Sequence, residues 1–293
     1  MSIDRRKFLK GIWCLAAGAS LPASASSTPK IVSLDYAAAE TLLAIGVTPA
    51  GVQSSDRWDR WVVEPELPRS VVNVGQDLVA NLEVIASLRP DLIITTPYTD
   101  ALRSRLERIA PVYMVSVYDQ TGTPLVNAFQ ETRELGRLAG IAAEAEDYLR
   151  SADVEFDTLR SRLAGKNQPP VALVNFMDDR HVRVYGASGL YQDVLDRLEL
   201  NNAWTRPTNY WGFATVGLEE LARAAPPEMH LIAFEPMVEE IKPTLETSPI
   251  WRSMPVVQEG NFKVFPPVLT FGMVPSALRF ARLITAYLEQ EIL

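Results

Sequence analysis

Four stretches of this 293-residue chain place aromatic side chains where contact with a ligand could occur. Arg57-Trp58-Asp59-Arg60-Trp61 lies in a polar loop ahead of Pro65 and Pro68, and Pro97-Tyr98-Thr99 follows an apolar run that reads as a strand. Asn209-Tyr210-Trp211-Gly212-Phe213 precedes a helical pattern, and Thr270-Phe271-Gly272 follows the Val264 to Val268 region. Tyr and Trp combine a large, stiff contact area with one polar atom, which suits non-covalent capture of a bulky ligand. Arg57, Arg60 and Asn209 would add charge and hydrogen bonding beside the rings. Any one Trp could equally be core packing. It is the recurrence of such loops in both halves, at strand ends or ahead of a helix, that favours a binding site.

Catalytic chemistry has little to work with. The two histidines, His181 and His230, neighbour no nucleophile in sequence. His181 begins a predicted strand, and His230 introduces an apolar run and reads as a capping or surface residue. No GxSxG, HExxH or Gly-rich phosphate loop is present. A zinc or manganese site needs about three organised His or carboxylate ligands. Two scattered histidines do not supply it, although a carboxylate-only site remains open. No resident metal or cofactor is expected.

Elements that could hold the four loops follow from periodicity. Asn81-Leu82-Glu83-Val84-Ile85-Ala86 leads through Arg89-Pro90-Asp91 to Leu92-Ile93-Ile94. Gly217-Leu218-Glu219-Glu220-Leu221-Ala222 leads through Ala225-Pro226-Pro227 to Leu231-Ile232-Ala233-Phe234. Each reads as a short helix with Glu in its first turn, a Pro-bearing stop and an apolar strand. A second pairing matches strand Lys30–Leu34 and helix Ala38–Gly46 with strand His181–Tyr185 and helix Leu190–Leu198. Together they predict a duplicated α/β architecture of two lobes with mainly parallel sheets. Between the halves, Ala145, Tyr148, Leu149, Ala152, Phe156, Leu159 and Leu163 share one helical face over 142–163, with no Gly or Pro. At 1.5 Å per residue this is a rod of about 33 Å, and two lobes so joined hinge less freely than lobes joined by strands.

The start of the chain has a different character. Asp4-Arg5-Arg6-Lys7-Phe8-Leu9-Lys10, the apolar Gly11 to Leu21 and Ala23-Ser24-Ala25 follow the order of a cleavable twin-arginine signal peptide. The apolar part, about 11 residues, is too short for a bilayer core that needs about 20. The expected division is a signal at 1–25, an N-terminal lobe at 26–141, a linking helix at 142–164 and a C-terminal lobe at 165–293, with the mature protein in the periplasm. Cys14 is the single cysteine, so the mature part is expected to lack disulfides and thiolate ligands. The formal charge is −8; removing a signal with one acid and four bases makes the mature part more acidic still, which argues against nucleic acid.

Several stretches carry a family resemblance over nearly the whole mature chain. They are Trp61-Val62-Val63-Glu64-Pro65-Glu66-Leu67-Pro68, Arg108-Ile109-Ala110-Pro111, Asp179-Arg180-His181 with Tyr185-Gly186, Asn202-Ala203-Trp204 and Thr208-Asn209-Tyr210-Trp211-Gly212. With these the chain resembles the periplasmic iron(III)-hydroxamate-binding proteins of siderophore ABC importers, within a larger group that binds cobalamin, haem and ferric siderophores. The resemblance implies two α/β lobes about a long helix, a ferric siderophore whose iron belongs to the ligand, and delivery to an inner-membrane permease with its ATPase by a monomeric binding protein. It implies ligand contacts at Trp61, Tyr98 and Trp211, and permease docking through Glu83 and Glu219, the two residues that the repeat had paired.

The chain also departs from that pattern. Asp77 stands where the family carries an arginine against the iron-bound oxygens, and Leu269 and Phe271 stand at Trp and Tyr positions. The reversed charge disfavours an anionic chelate unless Arg57 or Arg60 takes over, so a neutral or cationic hydroxamate is expected. Haem or cobalamin capture and an exported hydrolase are the alternative readings.

Overall fold

The computed structural model describes residues 28–77, 79–224, 226, 228–237 and 241–291; the signal-peptide expectation lies outside them. The first lobe contains β1 (Ile31–Ser33), α1 (Tyr36–Ala44), β2 (Gly51–Val52), α2 (Trp58–Trp61), β3 (Val72–Asn73), β4 (Gly75–Gln76), β5 (Val79–Ala80), α3 (Leu82–Leu88), β6 (Leu92–Thr95), α4 (Arg103–Leu106), β7 (Val112–Met114) and α5 (Pro124–Leu138). After α6 (Ala142–Leu163) come β8 (Val171–Phe176), β9 (His181–Tyr185), α7 (Leu190–Arg197), β10 (Phe213–Gly217), α8 (Leu218–Ala224), β11 (His230–Phe234), α9 (Ile241–Thr247), α10 (Pro249–Ser253), α11 (Pro255–Gln258), β12 (Phe262–Phe265) and α12 (Val274–Glu291).

Each lobe is built on a five-stranded sheet, ordered β3-β2-β1-β6-β7 and β10-β9-β8-β11-β12. Every pairing in the first sheet is parallel. In the second, β8, β11 and β12 are parallel, but β9 runs antiparallel to both β8 and β10. The two-lobe α/β expectation holds, with a mixed second sheet. Both faces of the central strands are covered, as parallel sheets require. Along β8, Val171 and Leu173 enter one core and Ala172 and Val174 the other.

The repeat holds for one pairing and fails for the other. The units α3–β6 and α8–β11 end in strands at equivalent sheet positions, and Glu83 and Glu219 occupy their first helical turns. The strand equivalent to β1, however, is β8 and not β9. Residues 177–180 join β8 to β9 through a turn in which Asp178 accepts from the backbone N–H of Arg180 and His181. So short a link permits only an antiparallel return, whereas a parallel neighbour needs a crossover of a dozen residues or more.

Helix α6 spans the residues its periodicity predicted. Its apolar face joins one core that includes Ile31 and Ile94 of the first lobe, Leu173 and Ile232 of the second, and Ala277, Phe280 and Ile284 of α12. The last helix packs against α1 and α5 as well as α7, so two long helices tie the lobes together. No described helix is long and apolar enough to cross a membrane.

Candidate functional site

Three of the rings predicted from sequence, Tyr98, Trp211 and Phe271, gather where the two lobes face one another. Tyr98 lies in the helical turn Pro97–Leu102 after β6; Thr96 and Thr99 close a capping box there, with the Thr96 N–H donating to Thr99 Oγ1 at 3.3 Å. Trp211 comes from the loop ahead of β10. The Asn209 carboxamide oxygen accepts from the backbone N–H of Trp211 at 2.9 Å and of Phe213 at 3.3 Å. Asn209 therefore shapes the turn that presents the indole. Gly212 completes it: φ is 76°, and a Cβ there would lie 2.2 Å from the Gly189 Cα. Only glycine fits both the left-handed backbone and the close approach.

Tyr98 and Trp211 stack across the cleft, their ring centres 5.2 Å apart and their planes 24° apart. Tyr118 supports this pair at 5.6 Å from Trp211 and 5.5 Å from Phe271, while Tyr210 meets Trp211 edge-on at 4.8 Å. Two tyrosine hydroxyls cross the boundary: Tyr118 donates to the Thr270 carbonyl at 3.1 Å, and Tyr210 donates to the Tyr118 carbonyl. These rings, with Ala37, Pro97, Val115 and Val117, enclose a cavity of about 270 Å³. That is below the range of about 300–1,000 Å³ typical of pockets for drug-sized ligands.

One carboxylate, Asp35, also lines the cavity. It caps α1, accepting from the Ala38 N–H at 2.8 Å. Burial pushes its carboxyl up to about 6, against the opposing hydrogen bonds from Ala38 and Ala37. Burial likewise raises the Tyr98 hydroxyl, while the positive charge of Arg183 in the opposite lobe lowers it.

The remaining predicted residues are not joined to this cluster by ring contacts. The segment expected as a loop forms a 3₁₀ turn, Ser55–Arg57, followed by α2. Trp58 is buried there, its indole N–H donating to the Pro65 carbonyl at 2.8 Å, whereas Trp61 is 40% exposed under the Arg60 guanidinium. Arg57 pairs with Asp77 at 2.8 Å, and both are exposed. Asp77 itself has a left-handed backbone, φ 45°, held by its N–H donating to Ser54 Oγ at 2.7 Å and by Gln53 donating to its carbonyl. Glu83 and Glu219 are exposed in the first turns of α3 and α8. Glu219 borders a polar hollow of about 710 Å³ that also includes Arg180, His181 and Arg223.

Tyr118, Tyr210, Asp35 and Arg183 were not singled out from sequence. Tyr118 and Asp35 each follow a strand's carboxyl end, the same signal that found Tyr98, and Tyr210 sits inside the predicted Asn209–Phe213 stretch. The reading of His230 as a cap or surface group is corrected. It is 8% exposed within β11, with Nδ1 at 2.7 Å from the Tyr287 hydroxyl of α12. The apolar run begins at the histidine itself. His181 is exposed and meets Asp178 at 3.0 Å. Among the described residues no group of three His, Cys, Asp or Glu could hold a metal ion.

Comparison with known proteins agrees with this fold. The sequence profile of the family described as periplasmic binding protein matches residues 31–269. The chain is 30% identical over 262 residues to the iron(3+)-hydroxamate-binding protein FhuD of Escherichia coli, covering 89% of this chain and 88% of that one. It superposes with a TM-score of 0.83 and 31% identity on the Vibrio cholerae siderophore-binding protein FhuD solved with Fe3+-Desferal, covering 89% of this chain and 98% of that one. The periplasmic haem-binding protein HutB of Vibrio cholerae shares the fold, with a TM-score of 0.72 and 17% identity over 89% of this chain and 99% of that one.

Proposed function

Because the chain belongs to the periplasmic binding protein family, we propose that it is the binding component of an ABC importer and captures a ferric siderophore of the hydroxamate type. The observation that carries this reading is the Tyr98–Trp211 stack, which joins rings of opposite lobes over the cavity. Parting that stack would admit the chelate between Tyr98, Trp211 and Phe271, with Trp61 and Arg60 at the rim. The iron arrives and leaves inside the ligand, and the protein binds it without chemical conversion. Relatives that bind iron(3+)-hydroxamate and Fe3+-Desferal, at 30% and 31% identity, support the hydroxamate class.

In this reading a twin-arginine signal at 1–25 places the mature monomer in the periplasm, with lobes at 26–141 and 165–293 about the helix at 142–164. Glu83 and Glu219 then stand one on each lobe, spaced to meet basic groups of a permease whose separate ATPase drives transport. Both also favour their own helix N-termini, a role compatible with docking. Outside the ring cluster Arg57 is neutralised by Asp77, and Asp35 contributes a negative charge to the cavity. Chelates without net negative charge are therefore preferred.

Tryptophan quenching against a ligand panel tests the assignment. A neutral ferric tris-hydroxamate should quench saturably and bind more tightly than a ferric tris-catecholate. Preference for the tris-catecholate, or binding of haem or cobalamin alone, would sink it.

A further inference from the structure

We infer that Arg183 is a ligand-facing residue of the cleft, whose guanidinium donates to the anionic iron-bound oxygens of the chelate from the C-terminal lobe. This rests on the siderophore reading and adds to it the residue that meets the iron-bound atoms.

Strand alternation sets the direction of the side chain. Val182 and Val184 of β9 enter the core on one face of the second sheet, while Tyr185 enters the core on the other. Arg183 therefore shares the Tyr185 face, opposite Thr215 of β10 and Asn175 of β8. In the β9–β10 pairing Phe213, which follows the Trp211 loop, stands opposite Tyr185, two residues along the same face from Arg183. The guanidinium lies 4.1 Å from the centre of the Phe213 ring, and Phe213 is 6.4 Å from Phe271 of the cleft. Its charge reaches across the boundary to the Tyr98 hydroxyl and acts on Tyr185 beside it.

The Arg183 guanidinium acts on the Tyr185 hydroxyl but is not fully satisfied inside the folded chain. Its Nε is buried and makes no hydrogen bond. A buried donor without a partner costs about 1–3 kcal/mol, and such atoms are few in native proteins. Arg57 and Arg206 are instead satisfied by Asp77 and Glu220. A hydroxamate bound to iron offers the complementary group: its N–O oxygen is formally anionic and remains able to accept hydrogen bonds. A planar guanidinium already seated on a ring can meet two such oxygens without first being ordered.

The test compares R183Q, R183K, R206Q and the unaltered chain by quenching titration with a neutral ferric tris-hydroxamate, alongside thermal melts. R183Q should weaken binding roughly tenfold to a hundredfold, the range for a hydrogen bond to a charged group. R183K should recover part of the loss, R206Q, which alters an exposed pair, should change affinity less than about threefold, and the melting temperature of R183Q should not fall. Unchanged affinity in R183Q overturns the inference and leaves the siderophore reading standing. Failure of the unaltered chain to bind any ferric hydroxamate overturns both. Should R183Q not fold, the ligand-bound structure of the unaltered chain decides. A guanidinium nitrogen about 3 Å from an iron-bound oxygen supports the inference, and a guanidinium facing only Phe213 overturns it.

Discussion

On the helical side of the lobe boundary, α6 and α12 bury Leu149, Phe156, Phe280 and Ile284 in a core continuous with both sheets. On the cleft side the lobes meet through rings, two tyrosine hydroxyls and a cavity. The helical side has polar links as well: Arg282 holds Glu155 in a two-pronged pair at 2.5 and 2.8 Å, and Asp193 of α7 accepts from the Leu125 N–H of α5 at 2.8 Å. Dense packing resists deformation, whereas a stacked ring pair can slide apart at little cost. The contrast teaches where ligand entry should be felt. Rings and loops of the cleft rearrange, and the two long helices hold the lobes within a narrow range of angles.

Mutations on the two sides should therefore separate stability from binding. Phe156→Ala removes a fully buried ring from α6 and should destabilise the fold by about 3–5 kcal/mol. A urea titration would measure this, and the fraction that remains folded should bind ligand normally. A loss of affinity with full stability would break the comparison.

Glu40→Gln sharpens it through pH. Glu40 of α1 is 1% exposed and accepts from Ser276 Oγ of α12 at 2.6 Å. Burial pushes its carboxyl up to about 8 from 4.5, opposed by Ser276 and the Arg279 charge and reinforced by Asp35; Tyr148 of α6 and Tyr191 of α7 lie within its field. The folded state thus keeps a proton that the unfolded chain releases above about 4.5. Stability should fall as pH rises from about 4.5 to about 8, by an amount on the order of a few kcal/mol. In E40Q melts across that window should be flatter and the melting temperature at pH 8 higher. An unchanged slope would show that another group governs it.

These two positions also show what was legible in the sequence. Helix α6 was readable to its ends because seven apolar residues share one face with no Gly or Pro among them. The direction of β9 was not, since alternation in His181–Tyr185 marks a strand without orienting it; only the shortness of the 177–180 link carries that information. Tyr98 and Trp211 were readable because rings in polar loops have no local reason to be there. Arg183 was missed because a charged residue at an alternating strand position reads as solvent-facing, and nothing local reveals the facing lobe. His230 was misread because its partner, Tyr287, is 57 residues away.

The smallest effect is expected at the rim. Trp61 is 40% exposed, and W61A should weaken ferric hydroxamate binding by only about threefold, since exposed rim contacts contribute little. Fluorescence cannot report this cleanly once a Trp is removed, so equilibrium dialysis of the iron chelate is the suitable assay. A loss as large as that of a cleft ring would move Trp61 into the site.

The central claim is that one chelate is held by rings from both lobes at once. Calorimetric titration of a neutral ferric tris-hydroxamate into the unaltered chain, Y98A and W211A tests it directly. The account predicts one site per chain and a loss of about 2 kcal/mol or more in each variant, as for buried aromatic anchors. Full affinity in either variant would contradict it, because the ligand would then be held by one lobe alone.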